Sequence, residues 1–114
     1  MLYEACFLLA LVVALAIEVP VLIALVRVVF RNSELSLIRI IVSGVLCTAV
    51  TLPYLWFVLP PYVDAAYFPF VGEALVVAVE ALILNRLLGL APKTAITCSL
   101  IMNAASYGFG LILL

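Results

Sequence analysis

Four long apolar runs follow one another along this chain, at about residues 5–29, 36–59, 67–88 and 92–113, and leave little sequence between them. Each matches the roughly 20 residues that an α-helix needs to cross the hydrocarbon core of a bilayer. The connections, Arg31–Leu35, Pro60–Ala66 and Gly89–Ala91, are too short to fold into domains of their own. Transmembrane strands would be about 10 residues long with alternating polarity, whereas these runs are continuous and longer. The expected fold is therefore all-α: one integral membrane domain over 1–114, built as a bundle of four transmembrane helices. Composition removes the alternatives. Hydrophobic residues make up 70% of the chain and charged residues 10%, against about 25% charged in soluble domains. So little polar material can neither coat a water-facing surface nor sustain disorder. The first run does not read as a cleaved signal peptide, because its only charge before Glu18 is Glu4, where a positive segment is expected.

Charge placement predicts an orientation. Arg27, Arg31 and Arg39 surround the first connection, and Arg86 and Lys93 surround the third. The positive-inside rule puts both connections in the cytoplasm. Both termini and the second connection then face outward, in a cell-membrane, multi-pass topology. Tyr3, Tyr54, Trp56, Tyr62, Tyr67 and Tyr107 all fall in outward-facing segments, and amphipathic rings favour the headgroup layer.

The polar residues at membrane depth are few. Glu18, Glu73 and Glu80 lie inside predicted helices, where an ionisable group is costly and marks a candidate site. Glu73 and Glu80 are seven residues apart and share a helix face; Glu73, the shallower, extends a candidate pathway outward. The second helix carries Ser43, Cys47 and Thr51 at steps of four, with Thr48 beside them. The fourth carries Ser99, Asn103, Ser106 and Gly110. Small residues let helices approach closely, and Ser, Thr and Asn bond across the gap. Ser43, Thr51, Ser99, Ser106 and Gly110 are therefore read as helix-packing positions. Asn103 is the strongest partner available to a buried glutamate.

The two halves of the chain resemble one another. Glu18-Val-Pro-Val-Leu-Ile aligns with Glu80-Ala-Leu-Ile-Leu-Asn, and Thr48-Ala-Val-Thr-Leu-Pro with Asn103-Ala-Ala-Ser-Tyr-Gly. An internal repeat of two helical hairpins would bring Glu18, Thr48, Glu80 and Asn103 together near the midplane as two related pairs. The same motifs, with Trp56 and Glu73, resemble a set of small four-helix prokaryotic integral membrane proteins. That resemblance covers nearly the whole chain and implies membrane location and four helices, with no activity attached. Thr48 stands where the resemblance leads one to expect Asn.

Histidine is absent, and Cys6, Cys47 and Cys98 show no metal-like spacing. No metal, cofactor or nucleic-acid partner is therefore expected. No nucleophile–base pair points to catalysis, so the chain is not read as an enzyme. Two functions remain. The first is an accessory or structural subunit, whose polar faces assemble helices within itself, with other membrane subunits or in a homo-oligomer. The alternative is an oligomeric conduit or carrier for protons or small cations, using the intramembrane glutamates.

Overall fold

Apolar residues surround every helix of this chain, so the usual contrast between a wet and a dry face is missing. Internal polar contacts and close fits must then decide how the helices pack. The computed structural model describes residues 2–31, 34–64 and 66–113. Ser33 and the side chain of Tyr62 lie outside what it describes. Among the described residues, α1 spans Tyr3–Ala24 and continues through a π-helical turn at Leu25–Val29. α2 spans Leu37–Pro53 and continues through a second π-helical turn at Tyr54–Val58. α3 spans Phe68–Leu88, and α4 spans Pro92–Leu113. All four are long and apolar enough to cross a membrane, and their ends fall within two residues of the sequence-based bounds.

Local chemistry sets these ends. Ser36 caps α2 by accepting a hydrogen bond from the Arg39 backbone N–H at 3.2 Å. Gly89 ends α3 in the left-handed conformation at φ 66°, which an L side chain adopts only with strain. Asn85 Nδ2 donates to the Leu90 carbonyl at 2.7 Å across this turn, and Pro92 opens α4. Two arginines around the first connection also tie elements together. Arg39 Nε donates to the Leu87 carbonyl at 2.8 Å, and Arg27 Nη2 to the Leu35 carbonyl at 2.9 Å. Pro60 and Pro61 both lack the N–H that the Trp56 carbonyl would otherwise accept from. The Tyr3 hydroxyl donates to that carbonyl instead, tying the start of α1 to the end of α2.

The helices form a ring in which α1 contacts α2 and α4, and α3 contacts the same two. The molecule measures 42 × 24 × 21 Å, so its long axis exceeds the roughly 30 Å hydrocarbon core. Leucine, valine, isoleucine and phenylalanine cover the outer surface, including Leu8, Val12, Ile38, Val50, Leu82 and Ile112. The polar residues Glu18, Ser43, Thr48, Thr51, Glu80, Ser99 and Asn103 are buried. This inverted distribution is what lipid surroundings demand.

The two ends of the bundle differ. Toward the short connection at Gly89–Ala91, apolar side chains fill the centre. Leu22, Cys47, Leu84 and Cys98, one from each helix, are all 0% exposed there. Gly44 permits the close approach of α2 to α1. A Cβ at Gly44 would sit 3.2 Å from Val19 Cγ2 and 3.3 Å from Leu22 Cδ2. Gly44→Leu is expected to wedge the two helices apart at a cost of about 1–3 kcal/mol, measured as a lower unfolding midpoint in detergent. An unchanged midpoint would show that this contact is loose.

Candidate functional site

Glu80 sits in the middle of α3, is 1% exposed, and has a partner for each carboxyl oxygen. Asn103 Nδ2 of α4 donates to Oε1 at 2.9 Å, and Thr51 Oγ1 of α2 donates to Oε2 at 2.7 Å. The second Asn103 N–H has its own acceptor, the Ser99 carbonyl at 2.8 Å. Ser99 Oγ donates to the Val77 carbonyl at 2.8 Å, adding a second link between α4 and α3. Thr51 Oγ1 also lies 2.8 Å from the Cys47 carbonyl. One hydroxyl proton cannot serve both acceptors at once. The two contacts are complete together when a donor at the Glu80 Oε2 position points to Thr51 and Thr51 donates to Cys47.

Glu18, in α1, is 3% exposed and lies alongside Glu80 and Ser106. Its position contrasts with that of Glu80. Oε1 of Glu18 is shielded from solvent and has no hydrogen-bond partner among the described residues. A buried polar atom left unpaired costs free energy unless a proton or a ligand completes it.

Both carboxyls border a cavity of about 670 Å³ that fills the other half of the bundle. It runs from Glu18, Glu80 and Asn103 past the half-buried Glu73 to Tyr3, Trp56, Tyr107 and Leu111 at the helix ends. Small side chains create the space, with Ala10 and Ala14 of α1 and Ser106 and Gly110 of α4 along its walls. At the other end the packed layer of Leu22, Cys47, Leu84 and Cys98 closes it.

The predicted polar positions therefore separate into two groups. Ser99, Asn103 and Thr51 join helices around Glu80. Ser43 is buried in α2 but donates back to its own helix, to the Arg39 carbonyl at 2.8 Å. Thr48 likewise donates to the Gly44 carbonyl at 3.4 Å, while also bordering the cavity. Gly110, read from sequence as a packing position, instead faces the cavity, and a Cβ there would meet nothing within 4 Å. Ser106 also borders the cavity, where its side chain meets the Glu18 carboxyl of α1 in a hydrogen bond. The reason is shared: α1 presents Ala10 and Ala14 at this level, so small residues on both sides leave a space where one larger residue would have closed it. The Tyr3–Trp56 link and Gly44 were not singled out from sequence. The Pro-Pro pair after Trp56 was the available signal for the first.

This arrangement defines a small multi-pass membrane protein with a carboxyl-floored cavity inside a four-helix bundle. No family model, curated protein or solved structure matches the chain.

Proposed function

We propose that this protein takes up a cation, a proton or a small cationic solute, on Glu18 at the floor of its cavity. The observation that carries this reading is the Glu18 carboxyl, buried beside a second carboxyl with its Oε1 unpaired. Two neighbouring acids hold negative charge only when a cation shares their space, and the cavity brings such a cation up to the Glu18 side chain, with a local shift needed to uncover Oε1. The sealed layer beyond Glu18 argues for a carrier or receptor rather than an open channel. Passage across it requires the helices to shift. Pro20, two residues past Glu18, and the π-helical turns in α1 and α2 are places where the helical hydrogen-bond ladder is already interrupted. An oligomer would supply the further wall that four helices lack. The test is cation flux into proteoliposomes, expected for the wild type and lost in Glu18→Gln.

A second reading, an accessory or structural subunit of a membrane complex, is favoured by Glu80. Both of its oxygens are used in joining α2, α3 and α4, which is helix assembly rather than transport.

The orientation follows from the arginines and Lys93. Tags at both termini should be reached by impermeant reagents from outside, and a cysteine label placed at Pro92 only from the cytoplasm. The cavity would then open outward. A cytoplasmic N-terminus, or termini on opposite sides, would overturn this topology.

A further inference from the structure

The cavity is far larger than a proton or a bare inorganic ion requires. This observation deepens the reading of Glu18 as a cation acceptor, and rests on it. A volume of about 670 Å³ lies within the roughly 300–1,000 Å³ typical of small-molecule sites. Most of its walls are apolar, and the aromatic residues Tyr3, Trp56, Phe68 and Tyr107 are among those that line it. Aromatic faces attract cations, most strongly when desolvated and most strongly at Trp. An inorganic ion finds less here. Among the described residues no group of three or more His, Cys, Asp or Glu is disposed to hold a metal ion. The apolar walls likewise offer little to replace a hydration shell. At the floor, Glu80 already has both oxygens engaged, while Glu18 Oε1 has no donor. The site therefore asks for one positive group at the floor and an apolar body along the walls.

We propose that the cavity binds a monovalent organic cation, an ammonium-type group on an apolar body, with its charge at Glu18 and its body against the aromatic walls. Trp56 is the only tryptophan in the chain and lines the cavity, so its fluorescence reports occupancy directly. The experiment titrates the purified full chain in mild detergent with benzyltrimethylammonium chloride. Neopentylbenzene, a neutral molecule of the same shape, and sodium chloride are the comparisons.

The expected result is a saturable change in Trp56 emission with benzyltrimethylammonium and none with neopentylbenzene. Affinity should fall by about tenfold or more in Glu18→Gln, as loss of the opposite charge at the floor implies. Gly110→Leu is the second variant. Its side chain enters open space, so it should weaken benzyltrimethylammonium binding while the bundle stays folded, read as an unchanged unfolding midpoint in detergent. An equal response to neopentylbenzene, or unchanged affinity in both folded variants, would overturn the proposal. A response to sodium or to pH alone would also overturn it, yet leave the cation reading of Glu18 standing. Silence toward all of these, together with absent flux, would remove both.

Discussion

Glu80→Gln is expected to leave the folded bundle nearly unchanged, whereas Glu80→Ala should destabilise it by about 1–2 kcal/mol. The difference follows from the two contacts of Glu80. A glutamine oxygen can accept from Asn103 as Oε1 does at 2.9 Å. Its amide N–H can take the Oε2 position, 2.7 Å from Thr51, and donate to the Thr51 hydroxyl. Thr51 is then free to donate to the Cys47 carbonyl at 2.8 Å, so both contacts of the Thr51 hydroxyl are satisfied together. Alanine offers neither group. One Asn103 N–H and the Thr51 hydroxyl lose their partner on α3, and α3 loses two of its links to its neighbours. The comparison is made by thermal unfolding of the three proteins in one detergent. Equal stability of the alanine and glutamine variants would mean that Glu80 does not join the helices.

The parts of this arrangement differ in how readily they can be read from sequence. Helix positions depend on run length and on short-range stops such as Gly89 and Pro92, and both are local. The Glu80–Asn103 contact was also legible, because a three-residue connection fixes the antiparallel register of α3 and α4 and sets the two at the same depth. The partner of Glu80 on α2 was not. Thr48 and Thr51 differ by less than one turn, and the repeat set Thr48 in a pair with Glu18 and gave Glu80 no partner on α2. Which of them reaches Glu80 depends on the rotation of α2, set in part by the fit of Gly44 against Val19 and Leu22. The cavity was least legible. Small residues on α4 look alike whether they admit a neighbouring backbone or leave a void. Ser99 joins α4 to α3, whereas Gly110, three turns further on, faces empty space. Only the residues opposite, Ala10 and Ala14 of α1, separate the two outcomes.

Glu18→Gln is expected to fold normally and to lose all cation uptake. Glutamine keeps the size of the side chain and supplies an N–H beside Glu80 and Ser106, so the floor of the cavity keeps its shape and gains a donor. It cannot take a negative charge or carry a proton in the working range, so a carboxyl that receives a cation has no substitute. Glu80→Gln is a weaker test of transport, because the Glu80 oxygens are already committed to Thr51 and Asn103.

The measurement that bears most directly on Glu18 as the cation acceptor is flux in proteoliposomes. Wild type and Glu18→Gln are reconstituted at equal density, with empty liposomes beside them, under an imposed pH gradient and under an imposed potential. Proton or cation flux above the empty liposomes in the wild type, falling to their level in Glu18→Gln, is the predicted result. Wild-type flux indistinguishable from empty liposomes under both driving forces, or equal flux in wild type and variant, would contradict it.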